Sequence, residues 1–505
     1  MEIKEIIRNI ISNPQDFFLK NLGIRQIIFK NTFWLAVAEG VSRFLKLILI
    51  IYIARILGAT EYGKFTFALA FVGLFVIFSD LGLSQITTRE FAKNKEEEKE
   101  FSSLLSLKLL LGLGTLILIF LGSFFITLDP LIQKLIWILA VFAMVESFLT
   151  IFFSFFQARQ KMEYQAWAKI LEAAMVTGAG FYVLFYFPSV LNLGFGYLFS
   201  VIISLIFILL FFHFKVYRLR LEWNKFVWQK FLAMSWPLAL VGIFGGIQSQ
   251  TDSVMMGYFG QITQTGWYNA AYRIIGATFI PASLIGISFF PVLSKFFQES
   301  KEKLQKIWNY YLESMIFLAT PILVGGMVLA SKIIDFIYDP SYFPSILALQ
   351  ILLIMVGISF LASPFSQILI VANQQKKLFW SSLSGAIINV ILNLILIPKY
   401  SLYGAAATTV VSFFLIFFLL YNFTLKFTPI KPFNLKLLFS FLGAGLSSIL
   451  MYLVIIQPQI YQLHVFLSIL IGAGVYLICF LVYKKLLVNS FFKVLKKCLM
   501  KLKKF

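Results

Sequence analysis

The sequence predicts an all-α polytopic membrane protein of about 14 transmembrane helices, arranged as two six-helix pseudo-symmetric lobes with two extra C-terminal helices. Three observations predict it. The 505 residues are 60% hydrophobic and only 13% charged, with a mean hydropathy of +0.89, too apolar a composition for a soluble fold of this size. The lysines and arginines lie between apolar segments and alternate in density from loop to loop. Finally, loop motifs recur in the same order after roughly 200 to 214 residues.

Residues 1–30 form a charged segment ahead of the first span. Ile3, Ile6, Ile7, Ile10 and Ile11 follow helical spacing up to Pro14, so residues 2–12 read as an amphipathic helix on the inner membrane surface, the alternative being a disordered tail. No cleavable signal peptide is indicated, because charges recur through this segment and no apolar stretch with a small-residue cleavage site precedes Asn31.

A span needs about 20 mostly apolar residues. The first lobe, 31–213, holds six: 31–54, 64–88, 102–126, 131–156, 165–187 and 194–213. A basic cytoplasmic linker, 214–230, leads to the second lobe, 231–423, with spans at 231–256, 269–293, 307–330, 344–371, 378–397 and 402–423. Spans thirteen and fourteen, 436–456 and 464–483, lie outside the repeat and precede a basic cytoplasmic tail, 484–505. If both termini are inside, the cytoplasmic segments carry 34 of the 43 Lys and Arg, and the outer loops carry five: Arg55, Lys64, Lys134, Lys332 and Lys399. That asymmetry predicts a multi-pass protein of the cytoplasmic membrane with both ends inside.

The net charge of +21 therefore reports orientation. A nucleic-acid binder would gather its basic residues on one solvated face, and these are dispersed. Cys479 and Cys498 suggest neither a disulfide framework nor a metal site, and no nucleotide loop, metal motif or cofactor signature is visible.

Internal symmetry narrows the architecture. Leu57-Gly58 to Tyr62-Gly63 parallels Phe259-Gly260 to Gly266; Gln157-Ala158-Arg159-Gln160-Lys161 parallels Val371 to Lys376; Phe187-Pro188 parallels Ile397-Pro398. Six spans separate the copies, an even number, so the lobes share an orientation. The lobes differ in proline. Pro237, Pro281, Pro291, Pro321 and Pro364 lie in or at the ends of spans seven to ten, where they serve as hinges or as static kinks, whereas the first six spans have none inside.

Polar residues inside spans are the candidate functional groups, because an ionised side chain at a helix centre costs about 2.5 to 3.5 kcal/mol. Glu39, Arg43 and Lys46 stack on one stripe of span one beside Ser42. Either Glu39 and Arg43 neutralise each other, or the stripe, with one net positive charge and no acid near Lys46 in sequence, is a wall for an anion; a snorkelling Lys46 is the third reading. Arg273 early in span eight, near Tyr272, Asn269 and Tyr268, offers a guanidinium fork to phosphate, and Gln248, Gln250 and Asp252 end span seven; an Arg273–Asp252 pair is the structural alternative. Asp80 and Arg89, near the inner end of span two, read as a gate or interface anchor. Glu39, Glu146, Glu172 and Glu313 are membrane acids able to carry a coupling proton, Glu39 foremost. Asn389 and Asn393 suit interhelical hydrogen bonding, and His213 and His464 sit at boundaries.

The layout of spans, the Leu57-Gly58 to Tyr62-Gly63 turn, Ser79-Asp80-Leu81-Gly82-Leu83 running to Thr88-Arg89-Glu90, Asp252 before Gly257, and Tyr268-Asn269-Ala270-Ala271-Tyr272-Arg273 together resemble the polysaccharide exporter family. This family includes the O-antigen repeat-unit flippases of the multidrug/oligosaccharidyl-lipid/polysaccharide superfamily. The resemblance implies a V-shaped pair of lobes that moves a polyprenyl-diphosphate-linked oligosaccharide from the inner to the outer leaflet by alternating access, without enzymatic chemistry. Its partners would be the lipid-linked glycan, membrane lipids and polysaccharide polymerase machinery, with the transporter itself a monomer. Arg43, Lys46 and Arg273 would hold the diphosphate or an acidic sugar. The rivals are a cation-coupled multidrug exporter of the same superfamily and a non-transporting scaffold of an envelope-assembly complex.

Overall fold

The computed structural model describes residues 23–93, 100–216, 220–432 and 435–485. The expected amphipathic segment 2–12, Cys498 and nearly all of the basic tail lie outside these. Every regular element among the described residues is helical. In chain order they are α1 (Ile24–Val76), α2 (Leu83–Lys93), α3 (Phe101–Ile126), α4 (Pro130–Ala158), α5 (Met162–Tyr186), α6 (Val190–Lys215) and α7 (Lys225–Tyr258). There follow α8 (Ile262–Glu299), α9 (Lys301–Ile337), α10 (Ser345–Val371), α11 (Gln375–Phe427), α12 (Leu435–Ile455), the single turn α13 (Pro458–Tyr461) and α14 (Val465–Tyr483).

Twelve of these stretches are long and apolar enough to cross a membrane. Two of them cannot be single spans. α1 and α11 have 53 residues each, about 80 Å of helix against a hydrocarbon core of about 30 Å. Each is broken at one residue of non-helical geometry, Gly58 (φ 76°) in α1 and Ser401 (φ 56°) in α11. Counting the halves separately makes fourteen apolar segments, the number expected. Gly58 tolerates positive φ because it has no Cβ; Ser401 adopts the same region three residues after Pro398, so this break lies beyond the proline rather than at it.

Helix starts follow local chemistry. Asp129 caps α4 through Leu131 N–H at 2.8 Å with Pro130 in the first turn, and Asn224 caps α7 through Phe226 and Val227 N–H at 3.1 and 3.3 Å. Helix ends carry the duplication. After α4, Arg159, Gln160 and Lys161 N–H donate to Phe155, Gln157 and Phe156 carbonyls; after α10, Ala372, Asn373 and Gln374 N–H donate to Ile368, Ile370 and Leu369. The left-handed residues are Gln160 (φ 57°) and Asn373 (φ 56°). The two turns thus make one Schellman-type stop from different residues. Gly58 (φ 76°) and Gly260 (φ 74°) form the second matched pair.

By contacts the chain divides into two units, Met1–Gly266 and Trp267–Phe505. The first therefore includes α7, which the sequence-based division into lobes assigns to the second lobe. Within this unit α7 runs antiparallel to the second half of α1, and glycines of α7 together with Gly82 beyond the end of α1 set the separation. A Cβ on Gly257 would stand 2.0 Å from the Phe67 ring, one on Gly242 2.4 Å from Ile77, and one on Gly82 2.8 Å from Leu238. Beyond α7, the first turn of α8 meets α1 reciprocally: a Cβ on Gly63 would meet the Ile262 carbonyl oxygen at 2.0 Å, one on Gly266 would meet that of Ala59 at 2.1 Å, and the Thr60 and Thr263 hydroxyls are 2.8 Å apart. Lipid supplies no hydrophobic drive between helices, so such small-residue approaches hold them. The opposite end of the unit is filled by Phe91, Phe101, Phe152, Phe155 and Phe212, whose rings meet at 4.9 to 6.2 Å.

In the second unit, α12 and α14 pack on α9. Leu329, Met451, Ile455 and Tyr476 form a buried core there, and the Tyr476 hydroxyl donates to the Phe317 carbonyl at 2.9 Å. Lys332 ties α9 to the turn before α14 through the carbonyls of Tyr461 and Leu463 and through Ser468 Oγ. Prolines lie inside α7, α8, α9, α10 and α11, while α1 to α6 carry none beyond Pro130 in the first turn of α4.

Candidate functional site

Span one supplies the site's first wall. Arg43 lies 11 residues before the end of span one at 54, about 16 Å of helix, and so near the middle of a hydrocarbon core of about 30 Å. Its side chain is 68% exposed, and Glu39 and Lys46 on the same stripe are 45% and 41% exposed. Ionised groups at this depth that are not covered by protein require water. The stripe therefore borders a hydrated space.

α5 supplies the second wall. It runs parallel to the first half of α1, and ion pairs lace the two together in register. Lys30 meets Glu163 at 2.9 Å, Lys169 meets Glu39 Oε1, and Lys46 meets Glu172 Oε1 at 3.1 Å. The Ser42 hydroxyl donates to the Lys169 carbonyl at 3.3 Å, and further along a Cβ on Gly180 would stand 2.6 Å from Leu49. The lowest rung is sealed, with Lys30 fully buried and Asn31 reaching Gln160 Oε1 at 2.8 Å. The upper rungs open to the hydrated space. α4 adds Glu146, whose Oε1 is 3.2 Å from Lys46 Nζ.

Both expectations about the stripe change. The Glu39–Arg43 pair forms at 3.2 Å, yet Glu39 is shared with Lys169. Lys46 has no acid near it in sequence but two in space, Glu146 and Glu172, so it does not snorkel. The assembled cluster holds Arg43, Lys46 and Lys169 against Glu39, Glu146 and Glu172, and carries no net charge. The single positive charge expected from the stripe alone is removed by neighbouring helices. Lys169, which falls with the cytoplasmic residues when charges are counted loop by loop, is the cation that reading missed. A signal was present: Lys169 and Glu172, three apart within an apolar segment, are the complement of the stripe on span one.

The two gate or anchor candidates take separate partners. Asp80 lies where two left-handed residues, Leu81 (φ 47°) and Gly82 (φ 79°), interrupt span two, and its carboxylate is held by buried Lys108, with Ser84 donating to it at 2.5 Å. Lys108 also reaches Thr150 Oγ1 at 3.2 Å. Arg89 pairs instead with adjacent Glu90 at 2.6 Å, on an exposed surface. Among the coupling acids, Glu146 and Glu39 belong to the cluster, whereas Glu313 is bound by Lys484 at 2.5 Å at the end of α14 and so anchors the appended helices. Gln248 is half-buried and Asp252 buried in the first unit. In the second, Arg273 is exposed, Asn269 is buried, and Tyr272 stacks on Tyr268 at 5.9 Å between ring centroids. Asn393 donates to Asn389 at 3.1 Å within α11.

The sequence profile of the polysaccharide biosynthesis protein family matches residues 28–297, more than half of the chain. The chain belongs to that family. Its members' profile begins just before the charged stripe and ends in α8, so it takes in the whole cluster. This family member is similar to the capsular polysaccharide biosynthesis protein CapF of Staphylococcus aureus, 23% identical over 401 residues that cover 76% of this chain and 96% of CapF. It is also similar to the probable low-salt glycan biosynthesis flippase Agl15 of Haloferax volcanii, 23% identical over 180 residues, 35% of this chain and 38% of Agl15. Among solved structures it resembles the lipid II flippase MurJ in an inward closed conformation, with a TM-score of 0.72 at 19% identity over 90% of this chain and 99% of that one. At that identity the likeness establishes the fold.

Proposed function

We propose that the protein is a flippase that carries a polyprenyl-diphosphate-linked oligosaccharide from the inner to the outer leaflet by alternating access, without covalent chemistry. The observation that carries this reading is the exposed Arg43 at membrane depth, backed by Lys46 and Lys169, in a member of a polysaccharide biosynthesis family. A guanidinium there suits the phosphates, while the lipid tail stays in the bilayer. The flippase names of Agl15 and MurJ support the same reading. The distribution of Lys and Arg supports a cytoplasmic-membrane location with both termini inside, and the protein would act as a monomer alongside polymerase machinery. The membrane potential, inside negative, favours outward movement of an anion by about 2.3 kcal/mol per charge per 100 mV.

Arg43→Gln is the cleanest test. Its pairing within the helix is exposed and worth on the order of 0.3 to 0.5 kcal/mol, so membrane levels should be unchanged. Lys46→Ala would instead strand Glu172, which is 5% exposed, and confuse instability with lost function. In a strain lacking its own repeat-unit flippase, wild type should restore surface glycan and Arg43→Gln should lower it at least tenfold at equal membrane level. Equal surface glycan from Arg43→Gln and Arg273→Ala would make these cations structural and remove the anion-binding assignment.

A further inference from the structure

A neutral cluster poses a problem for the proposed substrate. A diphosphate brought beside three cations already matched by three carboxylates would leave the site anionic, unless a carboxylate gives way. Glu39 is the one placed to do so. Its two oxygens are divided between two cations, Oε1 to Lys169 and Oε2 to Arg43 at 3.2 Å, and its side chain is 45% exposed. Glu172 is 5% exposed and braced against Lys46. Glu146 is 40% exposed and, among the described residues, pairs with the same Lys46 that Glu172 also holds.

We infer that Glu39 is an internal counter-anion occupying the substrate's phosphate seat, and that Lys169 together with Arg43 forms that seat. When a phosphate arrives, its oxygens take both cations and the Glu39 carboxylate swings into the hydrated space. Lys169 can present its ammonium there because its backbone is fixed at this height by Ser42, and its side chain, 27% exposed, reaches across from α5 to α1. Glu39 then sets specificity as well. A neutral or cationic head group cannot displace it, because nothing would replace its two charge-assisted bonds. Each cycle also ends with Glu39 competing for the seat, which promotes release.

This inference rests on the anion-binding reading above, and the experiment separates the two. The full chain in lipid nanodiscs is titrated with farnesyl diphosphate, a short isoprenyl diphosphate, and binding is compared for wild type, Glu39→Gln, Arg43→Gln, Lys169→Gln and Lys169→Arg, each checked by thermal unfolding. Glu39→Gln should bind about tenfold tighter than wild type. Arg43→Gln and Lys169→Gln should bind at least tenfold more weakly, and Lys169→Arg should stay within about threefold. If Glu39→Gln does not fold, Glu39→Asp keeps the charge but cannot span both cations, and should still bind about threefold tighter. Unchanged or weaker binding by these Glu39 variants, alongside a loss in Arg43→Gln, overturns the counter-anion and leaves the anion site standing. Wild-type binding that survives both cation substitutions, or no binding by wild type and Glu39→Gln alike, overturns the site and the inference together.

Discussion

At the residue scale, the decisive variable is how much water each ion pair keeps. Lys30 and Glu163 have side chains 0% and 6% exposed, so removing one partner leaves an uncompensated charge in protein. Lys30→Met is expected to destabilise the fold by about 3 to 5 kcal/mol, seen as a lowered unfolding temperature of the purified protein. The double change Lys30→Met with Glu163→Leu should recover most of that loss. At the next rung of the same ladder the rule reverses. Arg43 is 68% exposed, and its substitution should cost little stability while removing function. A single helix pair thus carries a buried ion pair at one end and an exposed one, the proposed phosphate contact, further along.

At the element scale, glycine controls how the second half of α1 approaches the start of α8. The reciprocal contact of Gly63 and Gly266 with the carbonyls of Ile262 and Ala59 leaves no room for a methyl group, so Gly63→Ala must separate the crossing. In a chain with Cys479 and Cys498 changed to serine, Thr60→Cys and Thr263→Cys are expected to cross-link on mild oxidation, because the hydroxyls they replace are 2.8 Å apart. Adding Gly63→Ala should abolish the cross-link. A cross-link of equal yield in that variant would show that the crossing yields elsewhere. If alternating access requires these segments to part, the cross-linked protein should also fail to restore surface glycan until it is reduced. The paired stops after α4 and α10 show the same economy: Gln160 and Asn373 take one left-handed geometry with amide side chains of different length, since the hydrogen-bond pattern constrains the backbone.

At the scale of the whole molecule, fourteen segments and the proposed inward termini place the connections near Leu128 and Lys399 outside and the one near Lys225 inside. Single cysteines at these positions should react with a membrane-impermeant maleimide applied to intact cells in the first two cases and only after permeabilisation in the third. Labelling of position 225 in intact cells would require the topology to be reversed. The two C-terminal helices are held to α9 by Tyr476, Lys332 and the Glu313–Lys484 pair. Glu313→Gln is expected to cost roughly 0.5 to 1 kcal/mol, because Lys484 is 44% exposed and remains solvated.

The sequence by itself determined the all-α membrane class, the fourteen segments, the repeat and the family. Those depend on quantities that run along the chain: apolar length, the density of Lys and Arg between segments, and glycine or proline at loops. It also marked Glu39, Arg43 and Lys46 as one stripe, because 3.6-residue periodicity is local. Only the tertiary structure decided what those residues face. Glu146 and Glu172 are 100 and 126 positions from Lys46, and Lys169 is 130 from Glu39. Asp80 likewise turns to Lys108 rather than to the Arg89 nearer in sequence. Every span reads as apolar enough to cross a membrane, whichever neighbour it packs on, so hydropathy cannot say which helices touch. Close approaches at small residues such as Gly180 and Gly257 make that choice, and with it they decide which carboxylate stands against which cation and how much of each pair stays exposed.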